Sequence, residues 1–332
     1  MFNVLMLTQD SSRQSHAELK PIDEATLRAA DPEGQVLVRI SHSAMNYKDA
    51  LAITGRGAIA RKWPMVAGID LAGEVERSDD PAWQPGDKVV VTGLGLSETH
   101  WGGLAQKAWL PAAWLLRLPA KFDTRLAMGV ATAGVTAALS VLRLQQHGLQ
   151  PGDGEVLVTG AAGGVGSISL ALLASLGYTA VASTGRPQEA AYLEKLGARR
   201  IVDRASLGTP GKPLQSERWA GVVDSVGSHT LVNACAQTRI NGAVAACGLA
   251  QGADFPSTVM PFILRGVTLY GINSVYIDMQ RRTAAWALLA EHLDLALLES
   301  MCVDIGLSEA IAYAPRLLAG EVRGRTIVDV NR

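Results

Sequence analysis

Four glycines stand close together between two apolar segments of the chain. Gly160 closes the segment EVLVTG, and Gly163, Gly164 and Gly166 lead into SISLALLASL. Glycine lets the backbone approach a pyrophosphate closely, and the free amides and positive end of a following helix attract its charge. The spacing departs from G-x-G-x-x-G, a weak motif by itself, but its place between a predicted strand and a predicted helix favours a dinucleotide site over a purely structural turn. The predicted cofactor contacts on this turn are Ala162, Gly163, Gly164 and Val165.

The next predicted strand, TAVAST, ends without an acidic residue. Units of this kind that prefer NAD carry a carboxylate about 20 positions beyond the glycines, bound to the ribose 2′-hydroxyl. Here the chain runs Ser183, Thr184, Gly185 and Arg186. A guanidinium and two hydroxyls donate to a 2′-phosphate, and each charge-assisted bond is worth about 1.5 to 3 kcal/mol. We therefore predict NADP(H), with Arg204 as a second guanidinium for the same phosphate; a solvated surface position is the alternative for either arginine.

Further predicted contacts follow later strands of the same series. Ligands in parallel sheets lie across the carboxyl ends of the strands. The stretches that close GVVDSVG, AVAACGL and VTLYGINS are therefore expected to line the nicotinamide side, mainly with backbone groups. Leu249 and Ser274 are the predicted cofactor contacts on these stretches.

Turn signals divide the first part of the chain into short strands, VLML, QVLVRISHS, MVAGIDLAGEVER and KVVVTG, with NYKDALAITG as one short helix. From about Leu126, short apolar strands alternate with helices, which predicts a parallel, doubly wound sheet. Beyond Ser274 the alternation stops, and the closing strand GRTIVDV is expected to return to the first domain. We predict an α/β protein in which a discontinuous β-rich domain, residues 1–125 and 275–332, surrounds a Rossmann domain, residues 126–274.

The composition excludes several classes of partner. The 332 residues include 30 Lys and Arg against 31 Asp and Glu, so no basic surplus is present for a nucleic acid or an anionic membrane. With 48% hydrophobic residues, the chain can bury a large core. Cys235, Cys247 and Cys302 are widely separated, which argues against disulfides, and the N-terminus lacks a signal-peptide pattern. We expect a cytoplasmic protein that binds small molecules.

The order of a β-rich domain, a Rossmann domain and a return to the first domain resembles the medium-chain dehydrogenase/reductase family over essentially the whole chain. GAAGGVG is similar to the AxGGVG turn of its quinone-reductase branch. The resemblance implies a GroES-like first domain and a homodimer, for which VTLYGINS would be a suitable edge strand. Zinc members carry an early cysteine and a GHE motif, whereas this chain has HSAMNYKDA and AGIDLAG, with Ile69 and Asp70 in place of His and Glu. Because this ligand set is missing, we expect a metal-free enzyme.

Several separated segments resemble the YhdH/AcuI subgroup of NADPH-dependent acryloyl-CoA reductases: NYKDALAITGRGAIARKWPMVAGIDLAG, GLSETHWGGLAQ, VMPFILRGVTLYGINSV and GRTIV. The resemblance implies reduction of an activated double bond. Hydride adds to the β-carbon and the carbonyl takes the charge as an enolate, so the chemistry requires an oxyanion donor and a proton source but no Lewis acid. Two alternatives stay open: an NADPH:quinone oxidoreductase that acts on planar acceptors, and an NADPH-binding protein without catalysis.

The candidate catalytic residues are Asn46 and Tyr47, which begin the short helix after QVLVRISHSAM. In the family fold this place faces the nicotinamide. Tyr47 is expected to contact the cofactor and to donate a proton or hydrogen bond to the enolate, and Asn46 to orient the cofactor ribose or the substrate carbonyl. The alternative is that Tyr47 only packs and that Asn46 only caps the helix.

A basic stretch follows that helix. Arg56, Arg61 and Lys62, in TGRGAIARKW, are candidates for the phosphates of coenzyme A, with a solvated loop as the alternative. Arg325 in GRTIV is a candidate for the active cleft. Asp70 is expected to be a structural acceptor for local amides, without a catalytic role.

Overall fold

The computed structural model describes residues 1–332 and divides them into two compact units. The first unit comprises Met1–Thr132, Val275–Thr283 and Glu299–Arg332, and the second comprises Ala133–Ser274 and Ala284–Leu298. The predicted α/β fold class, a β-rich domain with a Rossmann-type parallel sheet, is confirmed.

The boundaries of the units differ from the predicted domain boundaries in two places. Residues 126–132 cluster with the first unit, because the long helix that begins at Thr124 is interrupted at Ala131, where φ is 44° and ψ is −154°. Residues 284–298 cluster with the second unit instead of the first. Their buried apolar side chains recur at helical spacing, which gives this segment a packing face of its own. These side chains are Ala285, Trp286, Leu289, Leu293 and Leu298.

Eight short strands and two helices form the N-terminal part of the first unit. The strands are β1 (Phe2–Gln9), β2 (Ser15–Ile22), β3 (Val36–Met45), β4 (Met65–Val66), β5 (Asp70–Ser78), β6 (Lys88–Thr92), β7 (Lys107–Leu110) and β8 (Leu116–Arg117). The helices are α1 (Glu24–Ala30) and α2 (Tyr47–Ile53).

Helix α3 (Thr124–His147) leads into alternating strands and helices. The strands are β9 (Glu155–Val158), β10 (Thr179–Thr184), β11 (Arg200–Asp203), β12 (Trp219–Asp224), β13 (Thr238–Ala246) and β14 (Thr268–Gly271). The helices are α4 (Gly164–Ser175), α5 (Ala190–Lys195), α6 (Ser228–Gln237) and α7 (Met260–Arg265). All six strands pair in parallel in the order β11-β10-β9-β12-β13-β14, the Rossmann order.

The sequence explains why this sheet is central to the second unit. Strand β12 reads WAGVVD and is buried at every position, as expected where helices cover both faces of a parallel sheet. Helix α4 is buried from Gly166 to Leu173 and is apolar nearly all round, which is typical of a core helix. The chain reverses its winding between β9 and β12, and a crevice for ligands forms at the carboxyl ends of strands at such a point.

The C-terminal segment adds three helices and two strands, and its strands join the main sheet of the first unit. The elements are α8 (Met279–His292), α9 (Leu295–Met301), β15 (Cys302–Gly306), α10 (Ala310–Leu318) and β16 (Arg325–Asp329). The sheet has the order β15-β16-β3-β5-β6-β8, with β7 also paired to β3, and a smaller sheet has the order β2-β1-β4. Strand β3 therefore has three partners, so it connects the closing strand to the rest of this sheet.

Helix α3 has the length and apolar composition of a membrane span, unlike the shorter apolar runs elsewhere in the chain. Of its most apolar stretch, 72% is buried inside the structure. The helix therefore has the burial of a core helix.

Candidate active site

The glycine turn after β9 depends on close backbone packing. The amide of Gly163 donates to Gly160 O (2.9 Å), and the amide of Ala161 donates to Ser183 O (3.2 Å), which ties the turn to the end of β10. A Cβ atom on Gly166 would lie 2.5 Å from Gly160 O, whereas one on Gly163 would meet the same oxygen at 3.3 Å. Gly166 is therefore required for the turn to pack on the helix, and Gly163 keeps the approach to the helix open.

Helix α4 presents its first amides at this turn. The helix begins at Gly164, and the Ser167 amide donates to Gly163 O at 2.9 Å. The amides of Gly164 and Val165 precede this bond and have no acceptor within the helix. Ala162 is buried immediately before them. The predicted residues of the turn thus come together around a helix N-terminus that suits a pyrophosphate.

The end of β10 carries two guanidinium groups. Arg186 donates from Nη2 to Ala162 O (3.4 Å), and its backbone amide donates to Thr184 Oγ1 (3.1 Å). The guanidinium of Arg204 lies against Gly185, where a Cβ atom would be 2.9 Å from Cζ, Nε and Nη2. The structure therefore brings the two predicted arginines to the same strand end, where their charge suits a phosphate.

Two more side chains at this strand end support a ligand site. Ser183 is buried, and its Oγ has no hydrogen-bond partner within the protein. A buried hydroxyl without a partner is costly, so this oxygen suits a polar atom of a ligand. Asp203 is paired in register with Thr184, but its carboxylate accepts from the Ala205 amide (2.9 Å). The turn, the orphaned hydroxyl and the two arginines together fit a dinucleotide with a ribose phosphate.

Asp224 organises the adjoining loop at the carboxyl end of β12. Its buried carboxylate accepts from Thr159 Oγ1 (2.6 Å) and from the amides of Gly227 (2.8 Å) and Val226 (3.3 Å). Burial raises the pKa of Asp224, and these hydrogen bonds oppose that shift. Sequence reasoning did not identify this residue; an acid that closes an apolar strand at the ligand edge was the available signal.

The two remaining predicted cofactor contacts of the second unit lie in different surroundings. The Cα atom of Leu249 would be 3.2 Å from a Cβ atom on Gly227, so Leu249 joins the loop after β12, and its side chain is 57% exposed. Ser274 Oγ instead accepts from Thr136 Oγ1 of α3 at 2.8 Å. Leu249 is therefore beside the Asp224 loop, and Ser274 is tied to a helix.

In the first unit, Asn46 and Tyr47 lie at the start of α2 as predicted. Tyr47 is the first residue of the helix and is 41% exposed. Asn46 donates from Nδ2 to Asp70 Oδ2 (2.7 Å) and to Asp49 Oδ2 (3.0 Å), while its Oδ1 accepts from Arg325 Nη1 (3.1 Å). Both ends of the Asn46 amide are thus bound by protein groups.

Asn46 belongs to a network that we name the buried polar cluster: Asn46, Asp49, Asp70, Thr132 and Arg325. Asp70 also accepts from Thr132 Oγ1 (2.5 Å) and from the Thr132 amide (3.1 Å). Asp49 accepts from the amide of Asn46 (2.8 Å) and from that of Ile69 (2.9 Å). Asp49 and Asp70 are completely buried, and Arg325 is 3% exposed.

Two backbone carbonyls of α3 bind the guanidinium group of Arg325. Its Nε donates to Gly129 O (2.8 Å) and its Nη2 donates to Met128 O (3.3 Å). The sequence made this arginine a candidate for the active cleft, whereas the structure places its side chain inside the first unit. The positive charge of Arg325 lies close enough to Asp70 and Asp49 to interact favourably with their carboxylates.

Burial controls the acid–base properties of the cluster. Burial, and next the charge of Asp70, raise the pKa of Asp49 to about 7. Burial also raises the pKa of Asp70, although the hydrogen bonds from Thr132 and the charge of Arg325 act against it. Burial lowers the pKa of Arg325. The role of Asp49 was missed at the sequence level; an acid three residues after the Asn that precedes a helix was the signal.

The basic stretch predicted for coenzyme A does not act as one patch. Lys62 Nζ is 3.0 Å from Asp31 Oδ1, whose side chain is 1% exposed, so Lys62 compensates a buried carboxylate. Arg61 is exposed and lies 3.7 Å from Glu98. Arg56 is exposed in the bend that follows α2.

No three side chains of His, Cys, Asp or Glu come close enough together to hold a metal ion. Asp70, at the position of the zinc motif, accepts hydrogen bonds from amide and hydroxyl groups. The groups around Asp70 are therefore hydrogen-bond donors, which bind a carboxylate, and they do not form a set of metal ligands.

Comparison with known proteins extends this picture. Residues 32–120 match the alcohol dehydrogenase GroES-like domain, and residues 164–291 match the zinc-binding dehydrogenase family. The acrylyl-CoA reductase AcuI of Ruegeria pomeroyi is 49% identical over 333 residues, with 100% of both chains covered. The crystal structure of the yhdH oxidoreductase from Salmonella enterica in complex with NADP has a TM-score of 0.95 at 44% identity, covering 99% of each chain.

A third relative is the putative quinone oxidoreductase YhfP of Bacillus subtilis, 41% identical, with 97% of this chain and 98% of YhfP covered. Its crystal structure with NAD bound has a TM-score of 0.93 and covers 99% of each chain. Together with the Rossmann strand order and the glycine turn, these matches show that the chain belongs to the medium-chain dehydrogenase/reductase superfamily. Within that superfamily its close relatives are the AcuI and YhdH proteins.

The buried polar cluster predicts a specific pH dependence of stability. Because the folded-state pKa of Asp49 is raised from 3.8 to about 7, its proton stabilises the fold below the unfolded pKa, and this contribution is lost as the pH rises to about 7. The free energy of unfolding of the wild type should therefore fall relative to that of Asp49→Asn over this window, by at most about 1.4 kcal/mol per pH unit. Urea unfolding of both proteins from pH 5 to pH 8 measures the difference. Parallel pH profiles would contradict a proton held at Asp49.

Proposed function

We propose that the protein reduces the activated C=C bond of acryloyl-CoA, or of a close short enoyl thioester, to the saturated thioester, with NADPH as reductant and without zinc. The name of the Ruegeria pomeroyi relative, acrylyl-CoA reductase, supports the substrate. The observation that carries the proposal in this chain is the pair of guanidinium groups, Arg186 and Arg204, at the end of β10. The NADP in the Salmonella enterica structure supports the same cofactor.

NADPH supplies a hydride, which forms a C–H bond at the β-carbon while the C=C electron pair moves to the thioester oxygen as an enolate. In this proposal the amides of Gly164 and Val165 bind the pyrophosphate, and Arg186 and Arg204 bind the 2′-phosphate. The hydroxyl of the exposed Tyr47 either donates a hydrogen bond to the enolate oxygen while water protonates the α-carbon, or gives its own proton to the α-carbon and regains one from water. Atoms and charge then balance without a metal ion.

We assign Asn46 a positioning role. Its amide is bound by Asp49, Asp70 and Arg325, so it holds the start of α2, and with it Tyr47, in one orientation. Contact with a ribose or a substrate carbonyl would need one of these three bonds to break. The fixed helix start favours a preorganised donor, which is more effective than a mobile one.

We infer a cytoplasmic location. Cys235, Cys247 and Cys302 are free thiols in this structure. Burial raises the pKa of Cys235 and Cys247 to about 12 and that of Cys302 to about 11, so these thiols are poor nucleophiles for disulfide exchange. Three unpaired cysteines suit a reducing compartment.

We propose that two copies of the chain associate through the edge of the Rossmann sheet. Strand β14 pairs only with β13, so its other edge has open backbone groups. Helix α7, which precedes β14 in the chain and packs on β13, and the residue before this helix expose Val259, Ile263 and Leu264, and Ile263 is 72% exposed. An apolar surface next to an open sheet edge is suited to an isologous contact.

The dimer predicts a shift in mass. Ile263→Glu should convert dimers to monomers in analytical ultracentrifugation at micromolar concentration, because a buried carboxylate at a self-complementary contact is strongly unfavourable. Exposed Ile240, at 61% exposure, provides the matched control, and Ile240→Glu should leave the mass unchanged. A wild-type monomer would refute the proposed contact.

The proposed preference for NADPH predicts that removal of the Arg186 charge weakens NADPH binding selectively. Arg186→Ala should weaken NADPH binding by about tenfold to a hundredfold, because one charge-assisted bond to the 2′-phosphate is lost, and should leave NADH binding nearly unchanged. Fluorescence titration with both cofactors measures this. Arg199→Ala, at an exposed position before β11, is the control. Equal losses for NADPH and NADH would mean that another group reads the phosphate.

The reaction itself is tested by NADPH oxidation at 340 nm with acryloyl-CoA and with quinones. We expect turnover of acryloyl-CoA, and we expect Tyr47→Phe to lower kcat by about 10² to 10⁴, as for loss of a general acid. The name of the Bacillus subtilis relative favours quinone reduction as the second candidate. Turnover of quinones alone would select it, and binding of NADPH without oxidation by any activated alkene would indicate a non-catalytic protein.

A further inference from the structure

A cluster of two cations on one buried carboxylate lies beside Tyr47, and we propose that it binds phosphate groups of the substrate's coenzyme A. The cluster consists of Lys48, Arg61 and Glu98, which we name the Glu98 cluster. This inference rests on the proposed function, since it assigns the substrate's nucleotide end to a site in the first unit.

The geometry of the Glu98 cluster is well defined. Lys48 Nζ donates to Glu98 Oε1, and Arg61 Nη2 lies 3.7 Å from Glu98 Oε2. The Arg61 amide also donates to Glu98 O at 2.8 Å, so the backbone of the basic stretch is tied to the same residue. The carboxylate is thus shared by cations from α2 and from the stretch after it.

The three charged side chains of this cluster lie at different depths below the protein surface. The Glu98 side chain is 7% exposed, whereas Lys48 is 28% exposed and Arg61 is 63% exposed. The anion therefore lies beneath the more exposed cations, and the cluster has a net charge of one positive unit. Cations that an internal carboxylate already holds in place lose little conformational entropy when an external anion binds. An arginine fork and a lysine ammonium are the usual ligands of phosphate oxygens.

The loop that carries Glu98 has an unusual backbone. Leu94 has φ of 54° and Ser97 has φ of 64°. These values lie in the left-handed backbone region, which residues other than glycine, Asn and Asp seldom adopt. The Glu98 amide donates to Gly95 O at 3.0 Å, which closes the turn. Strained backbone persists where the surrounding structure requires it, often at ligand sites.

The cluster differs from the basic patch expected from the sequence. Lys62 is bound to buried Asp31, so its charge is compensated inside the protein. Lys48, which sequence reasoning did not consider, follows Tyr47 in the first turn of α2. The cations with surplus charge are therefore those next to the proposed proton donor.

Three thioesters with progressively shorter nucleotide ends test the proposal: acryloyl-CoA, acryloyl-dephospho-CoA and acryloyl-pantetheine. For Lys48→Met and Arg61→Met we expect the KM for acryloyl-CoA to rise by about tenfold, as for loss of one charge-assisted bond, with no change in the KM for acryloyl-pantetheine. A full effect with dephospho-CoA would assign the cluster to the diphosphate, and its absence there would assign it to the 3′-phosphate. Either pattern supports a phosphate subsite.

Arg39→Met is the matched control, since Arg39 is also 63% exposed and pairs with a partly exposed glutamate, Glu74, in the same unit. It should leave all three KM values unchanged. Glu98→Gln removes the internal anion and should leave the KM for acryloyl-CoA equal or lower. Melting temperatures of each variant identify loss of folding.

Several results would overturn the proposal. Equal KM changes for all three thioesters, a rise in KM for Glu98→Gln as large as that for the cation variants, or a rise in the NADPH dissociation constant instead would show a structural or cofactor role. Failure of the proposed function looks different, because the wild type would then turn over none of the three thioesters.

Discussion

Two carboxylates removed completely from water constrain the first unit more than any other feature. An isolated buried charge is strongly unfavourable, so Asp49 holds a proton up to about pH 7, and Asp70 is tolerated only with hydrogen-bond donors around it and an opposing charge nearby. Arg325 supplies that charge, and Asn46 connects all three groups through one amide. Removal of any member would leave another without a partner, which is why the cluster acts as a unit.

The cluster also determines where elements from distant parts of the chain meet. Asp70 is the first residue of β5, Arg325 is the first residue of β16, and Asn46 precedes α2. Thr132 and the carbonyls of Met128 and Gly129 come from the beginning of α3. Tyr47 is therefore presented by a helix whose start is fixed by side chains from four elements. In zinc members of the superfamily this region carries metal ligands; here hydrogen bonds and an ion pair hold it together.

The second unit handles charge differently, because the groups at its strand ends are arranged in a way that suits an anion from outside. The glycine turn leaves helix amides without partners, Ser183 keeps an unpartnered hydroxyl, and Arg186 and Arg204 bring positive charge to one strand end. Asp224, in contrast, is satisfied by three donors and holds the next loop in shape. The same distinction separates the basic residues of the first unit: Lys62 neutralises Asp31, whereas Lys48 and Arg61 outnumber Glu98.

Much of this protein could be predicted from local patterns. Apolar runs alternating with helices identified the parallel sheet, and the glycines between β9 and α4 and the missing acid after β10 indicated NADP(H), because strand burial and phosphate binding depend on residues close in sequence. The tertiary structure decided what depends on distant partners. Arg325 was a candidate for the cleft, but its contacts with Asn46 and α3 show that it is buried. Asp49 is important because of Asp70 and Arg325, and Glu98 because of Lys48 and Arg61. These partners lie 21 to 276 positions away in the sequence. The physical reason is that the cost of burying a charge, and its compensation, are set by neighbours in space, which the linear order of residues does not record.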